Sequence, residues 1–225
     1  MDVFVIGGFL GSGKTTMLLQ LAKVYVDRGL KTAIIVNESG EVGVDGATIK
    51  AEGYSATELP EGCICCTLVG TLQATLKNIK RDLDPDVIII EPTGLALPHK
   101  VKQFVHTAMI DEDSCAIIGL ADVERFDLLI EKKEEFYRMQ MSGADLVLIN
   151  KIDLAKPGQV EHIRKWFADN FPGKPVEAVS AKTGENMDKL FSFTMSRRAR
   201  NTLPGGRSPS LPAIPASSPC LRLSS

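Results

Sequence analysis

Six short apolar runs punctuate the chain, at Val3 to Ile6, Thr32 to Val36, Val87 to Ile90, Ala116 to Leu120, Leu146 to Ile149 and Val176 to Val179. Apart from Glu177 they lack polar alternation, the pattern of strands buried on both faces. Between them, apolar residues recur at helical spacing over Thr15 to Arg28, Thr67 to Leu83, Pro98 to Thr107, Asp127 to Met141 and Gly158 to Phe171. Alternating strand and helix predicts an α/β domain with a doubly wound, mostly parallel sheet and right-handed crossovers. Ligands of such sheets bind beyond the carboxyl ends of the strands. The polar segments that follow each run should therefore gather along one edge.

The pattern stops at Ser196, after which thirty residues hold seven Ser, five Pro and five Arg without apolar periodicity. This predicts a folded domain over residues 1–195 and a disordered tail over 196–225. A basic Pro-rich docking segment, or a reading-frame irregularity in place of a second domain, are the other readings of the tail. A chain of 225 residues with 44% hydrophobic content has ample material for one sizeable core.

Charge sharpens the picture. The formal net charge is -2, but removing the tail's five arginines leaves 21 basic against 28 acidic residues in 1–195, a net of -7. Nucleic-acid binding needs a basic face, so no nucleic-acid partner is expected. The apolar runs are too short to span a bilayer and the N-terminus opens into a strand, so neither membrane association nor a signal peptide is expected, and a cytoplasmic location is. Five cysteines, three within Cys63-Ile64-Cys65-Cys66, then read as thiols kept reduced for metal or redox chemistry.

The first motif follows the first strand. Gly8-Phe9-Leu10-Gly11-Ser12-Gly13-Lys14-Thr15 fits G-x-x-x-x-G-K-[ST], in which glycines let the backbone wrap a polyphosphate and the next helix points its N-terminus at the oxygens. Lys14 would neutralise the β- and γ-phosphates, the Thr15 hydroxyl would hold Mg²⁺, and Thr16 extends the cradle into the helix. A glycine-rich turn alone would not explain a Lys-Thr pair at this offset.

Asn150-Lys151-Ile152-Asp153 follows the strand at Leu146 to Ile149 and fits the guanine signature N-K-x-D. The Asp153 carboxylate can accept from the guanine N1–H and exocyclic amine, Asn150 would serve the base edge and the loop, and the Lys151 stem would cover the ring. Ser180-Ala181-Lys182 after the next strand matches the loop that completes such a pocket, so GTP is expected over ATP. Glu91-Pro92-Thr93-Gly94 closes another apolar run. Glu91 could act on Mg²⁺ or on the attacking water, and the Gly94 N–H could sense the γ-phosphate. Pro92 and Gly94 would also suit a plain turn, but a carboxylate ending a wholly apolar strand favours a site. Asp122 fits a helix cap as well as a site residue.

Three thiols in four residues are too dense for ordinary core positions, and thiolates select Zn²⁺ and other late transition metals. A redox switch is the competing reading, and Cys115, alone on its strand, reads as buried and inert. With Gly8 to Thr16, Asn37-Glu38-Ser39-Gly40-Glu41, Gly62 to Cys66, Glu91 to Gly94 and Asn150 to Asp153 in this order, residues 1–195 resemble the CobW-type metallochaperone GTPases, which group with the urease and hydrogenase nickel-insertion GTPases. The resemblance implies a P-loop NTPase fold of the SIMIBI class and Mg²⁺-dependent GTP hydrolysis. It also implies a metal, Zn²⁺ or Co²⁺ (or Ni²⁺), at the C-x-C-C motif. Ser39 stands where the family segment usually has an aromatic residue. His99, His106 and His162 are widely separated, and no His-rich stretch or C-terminal domain is evident.

On this reading Asn37 to Asp45 and Cys63 to Cys66 move together with nucleotide state, and Thr15, Glu38, Glu41, Cys63, Cys65 and Cys66 are the candidate metal ligands. The expected partners are guanine nucleotide, the metal ion, and a client metalloenzyme or cofactor-loading protein. A nucleotide-dependent homodimer is among the expected assemblies. The rival readings are a GTP-dependent chaperone gating the loading of a cofactor such as a corrinoid, with structural cysteines, and a nucleotide kinase, against which N-K-x-D argues.

Overall fold

The structure, a computed structural model, describes residues 1–37, 55–59 and 67–201. Among the described residues seven strands, β1 (Asp2–Gly8), β2 (Thr32–Asn37), β3 (Ser55–Leu59), β4 (Val87–Glu91), β5 (Ser114–Asp122), β6 (Leu146–Asn150) and β7 (Val176–Ala178), form one sheet in the order β3-β2-β4-β1-β5-β6-β7. Every pairing is parallel. Among the described residues six α-helices accompany it: α1 (Lys14–Val26), α2 (Thr67–Leu83), α3 (Pro98–Thr107), α4 (Phe126–Ser142), α5 (Gln159–Asn170) and α6 (Met187–Asn201).

The alternation of side chains along each strand assigns the helices to two faces. Phe4, Ile6, Ile34, Ile89, Ile118 and Leu148 pack with Met17, Leu18 and Leu21 of α1 and Leu190 of α6. Val3, Val5, Ile35, Ile88, Ile117 and Ile149 face α2 through α5 on the other side. α1 carries the chain from β1 across to β2, while α2 to α5 carry it back in the opposite direction on the opposite face, as right-handed crossovers require. The reversal falls where β1 lies beside β4, and the phosphate-loop sequence leaves β1 at that point.

All strands being parallel, their carboxyl ends lie on one edge. Gly8, Asn37, Glu91, Asp122, Asn150 and Ala178 end there. The other edge is anchored by α6, whose Arg197 pairs with Asp145 (3.0 Å) and whose Arg198 pairs with Asp86 (3.2 Å) and Asp2 (3.6 Å).

Ser196 to Asn201 thus complete a packed helix beyond the boundary expected at residue 195, and residues 202–225 lie outside the described ones. Strand β3, Ser-Ala-Thr-Glu-Leu, carries no apolar run because it is an edge strand, paired only with β2. Among the described residues no helix is long and apolar enough to cross a membrane.

Candidate nucleotide site

The phosphate loop bridges β1 and α1. Gly13, at the N-cap of α1, has φ 91°, and a Cβ there would lie 2.5 Å from the Asn150 Nδ2, so glycine is required on both conformational and steric grounds. Beyond it the free N–H groups of the first turn face the strand edge, a ready site for an anion. Gly8 and Gly11 also take positive φ, Ser12 is buried with its Oγ lacking a partner among the described residues, and Thr16 sits half-buried in the first turn.

Lys14 is buried and donates to the Phe9 carbonyl (3.3 Å). Burial pulls its pKa down, and the nearby Glu91 opposes that shift. Thr15 donates through Oγ1 to Glu91 Oε1 (3.0 Å), while Glu91 Oε2 is buried with no partner among the described residues. Burial raises the Glu91 pKa against the opposing effects of Lys14 and the Thr15 hydrogen bond. A buried cation, a hydroxyl and a half-satisfied carboxylate therefore converge beneath the phosphate loop. A cation and an anionic ligand would satisfy what the protein leaves open here.

Gly94 rests directly on the loop, since a Cβ on it would lie 2.5 Å from the Leu10 amide nitrogen. Its carbonyl accepts from Gln140 Nε2 (3.0 Å), which also donates to the Ala96 carbonyl (3.1 Å). On the other side of Leu10, the Arg125 Nη1 donates to the Leu10 carbonyl (3.1 Å).

The base side is organised by Asn150. Its Nδ2 donates to the Ser12 carbonyl (2.8 Å) and its Oδ1 accepts from the Ala181 N–H (3.0 Å), so one buried amide joins the phosphate loop to the Ser180-Ala181 loop. Sequence reasoning directed part of Asn150 to the base; in the structure both ends of its amide hold the protein's own backbone. Lys151 has φ 67° and sends its ammonium to the buried Asp122 (2.8 Å), whose other oxygen accepts from the Glu124 N–H (3.0 Å). Asp122 therefore orients Lys151 and holds the turn before α4, but does not cap that helix, whose N-cap is Arg125. Asp153 is exposed, and its Oδ1 accepts from the Ser180 hydroxyl (2.6 Å). The Ser180 Oγ in turn accepts from the Thr183 N–H (3.1 Å).

Lys14, Thr15, Glu91, Gly94, Asn150, Lys151, Asp153, Ser180 and Ala181 are thus brought to one edge by the ends of β1, β4 and β6 and the loop after β7. Glu38, Glu41, Cys63, Cys65 and Cys66 lie outside the described residues. Strands β2 and β3 that precede them end side by side, Asn37 paired with Leu59, one strand away from Glu91. Cys115 is buried on β5, and burial pushes its thiol pKa up to about 12, which makes it inert as expected. Sequence reasoning missed Gln140 and Arg125. Gln140 had a signal: it falls on the apolar stripe of α4 with Tyr137 and Met141, where a polar residue must have a partner.

A family model described as the CobW/HypB/UreG nucleotide-binding domain matches residues 2–177. The chain belongs to the CobW/HypB/UreG family. This CobW/HypB/UreG domain is 37% identical over 172 residues to the zinc chaperone YeiR of Escherichia coli, covering 74% of this chain and 51% of that protein. The chain therefore spans about half the length of that relative. Among solved structures, it is similar to HypB of Helicobacter pylori in complex with nickel, with TM-score 0.62, 22% identity and 91% of each chain covered. It is also similar to the zinc-bound YjiA GTPase of E. coli, with TM-score 0.52 and 26% identity, covering 75% of this chain and 54% of that one. The fold is that of the P-loop GTPases.

Proposed function

We propose that the chain is a GTPase that couples GTP binding and hydrolysis to delivery of a transition metal, with zinc the favoured cargo, to a client protein. The observation that carries the nucleotide half is the Asn150 amide, which locks the phosphate loop to the Ser180-Ala181 loop beside Asp153. The Asp153 carboxylate then selects guanine by accepting from its N1–H and amine. The phosphate loop's N–H groups and Lys14 hold the β- and γ-phosphates, and the Gly94 N–H meets the γ-phosphate. Glu91 orients the attacking water or the metal's water shell. Positioning and charge stabilisation are most of what phosphoryl transfer requires.

The chemistry of the donor set fits Mg²⁺, with Thr15 Oγ1 and the half-satisfied Glu91 carboxylate as its protein ligands. When bound, Mg²⁺ neutralises charge on the β- and γ-phosphate oxygens.

The metal cargo is carried by Cys63, Cys65 and Cys66, with Glu38 and Glu41 as further ligands. Support comes from thiolate softness, from the adjacent ends of β2 and β3, and from relatives named a zinc chaperone and a zinc-bound GTPase. The γ-phosphate draws these segments together and hydrolysis releases them, so metal and GTP each raise the other's affinity.

The test is phosphate release from GTP by the full chain, combined with Co²⁺ titration. Lys14→Ala should abolish hydrolysis. The thiolate-to-cobalt charge-transfer band should be stronger with a non-hydrolysable GTP analogue than with GDP, should weaken as pH falls because thiolate ligation releases protons, and should vanish in the Cys65→Ser, Cys66→Ser double variant without loss of GTP binding. A band indifferent to nucleotide would favour the chaperone that gates cofactor loading, with structural cysteines.

A further inference from the structure

Gln140 is 1% exposed, on the side of α4 that faces the core. An apolar residue of the same length would fill this place without any polar atom to satisfy. The glutamine instead keeps its Oε1 buried with no partner among the described residues, which counts against stability. Its nitrogen is fully used: the two N–H bonds reach the carbonyls of Gly94 and Ala96, on either side of Leu95, across a turn closed by Ala96 N–H to the Thr93 carbonyl (2.9 Å).

The same helix reaches the phosphate loop by two further routes. The Phe9 ring stacks on Tyr137 (centroids 5.9 Å apart) and meets Phe136 edge-on (5.6 Å). Arg125, at the other end of the helix, holds the Leu10 carbonyl. Between Arg125 and Gln140, α4 is interrupted at Lys133, whose φ of -147° and ψ of 31° are not helical. The half containing Phe136, Tyr137 and Gln140 thus touches both the phosphate loop and the Gly94 loop.

The geometry points to Gln140 as a positioning residue for hydrolysis. It fixes the Gly94 peptide against the phosphate loop, and its spare Oε1 accepts a loop N–H when the loop is displaced, so that α4 registers whether a γ-phosphate is present. This rests on the GTPase reading above. Gln140 does not reach the nucleotide, and GDP has no γ-phosphate for Gly94 to meet. Losing Gln140 should therefore lower kcat and leave GDP affinity alone.

Two variants test this in the full chain. Gln140→Met keeps the length and removes both donors, whereas Gln140→Glu keeps the shape and sets acceptor oxygens against two carbonyls. The sole tryptophan, Trp166, is a built-in probe, since its ring meets Tyr137 (5.8 Å) and Phe126 (5.4 Å) of α4 edge-on. kcat should fall about tenfold in the Met variant and further in the Glu variant, with KM and GDP affinity within about twofold of wild type. The difference in Trp166 emission between GDP and a non-hydrolysable GTP analogue should be present in wild type and lost in both variants. A kcat within twofold of wild type, or GDP affinity falling in step with kcat, would overturn the assignment. If the wild type does not hydrolyse GTP at all, the proposed function fails. The Trp166 difference needs binding alone and still decides: its persistence in both variants overturns the role of Gln140, and its loss supports it.

Discussion

Replacing Asn150 by alanine should separate affinity from base choice. The residue is 2% exposed and its amide makes two buried hydrogen bonds, to the Ser12 carbonyl at 2.8 Å and from the Ala181 N–H at 3.0 Å. The substitution leaves one acceptor and one donor without partners, at about 1–3 kcal/mol each when buried. The small cavity against Gly13 lies at the strand edge, where water can enter and recover part of this. A loss of about 2–4 kcal/mol follows, a large fraction of a typical domain stability of about 5–15 kcal/mol. It would be read from urea unfolding of the nucleotide-free protein by far-UV circular dichroism. Because the phosphate loop and the Ser180-Ala181 loop are no longer tied together, GDP affinity should fall about ten- to a hundredfold, measured with a fluorescent GDP. The preference for GTP over ATP should survive, because the proposed function gives the choice of base to Asp153. In Asp153→Asn the pattern reverses: stability is little changed, GTP affinity falls and xanthosine triphosphate, with a carbonyl in place of the amine, gains. An Asn150→Ala protein that unfolds within about 0.5 kcal/mol of wild type, yet binds ATP as well as GTP, would refute the reasoning.

Two further outcomes follow from the buried charges. The folded-state pKa of Glu91 is raised by burial above its ordinary 4.5, so the stability linked to its proton is fully present below 4.5 and is lost as pH rises through the raised value. Glu91→Gln should therefore raise the urea midpoint of the nucleotide-free protein at pH 8 more than at pH 4 while lowering GTP hydrolysis, and a lower midpoint at pH 8 would contradict the sign. Replacing both Arg197 and Arg198 by alanine should cost about 1–3 kcal/mol, because these partly buried ion pairs lie between the exposed and fully buried cases. It should leave GDP affinity unchanged, since the pairs sit on the edge of the sheet away from the phosphate loop, and an equilibrium melt with a GDP titration checks both.

The core strands were legible because burial on both faces demands continuous apolar runs, and the structure returns six of them within two residues of the expected ends. β3 was not, since an edge strand needs no such run and Ser55-Ala56-Thr57-Glu58-Leu59 has the composition of a loop. α6 was hidden by its last turn: Arg197 and Arg198 look like the start of a basic tail until Asp2, Asp86 and Asp145 are seen opposite them. In the site, the segments proposed to serve the phosphates and base stood out by their spacing, because such chemistry is tied to short segments. The internal connections were not. Neither Asn150 to Ser12 nor Gln140 to Gly94 is implied by any local pattern, because each joins residues far apart in sequence.

The Asn150 tie spans 138 residues, and its second arm reaches on to Ala181. During synthesis the phosphate loop emerges first, among the earliest residues made, yet the group that braces it arrives only when β6 has been translated, and the loop that braces that group arrives later still. A growing chain holding β1, α1 and every segment through β5 would own the whole phosphate-binding motif and still lack a competent pocket. Guanine nucleotide therefore cannot template the early stages of folding on the ribosome. Its capture marks the moment at which the sheet has been completed through β7.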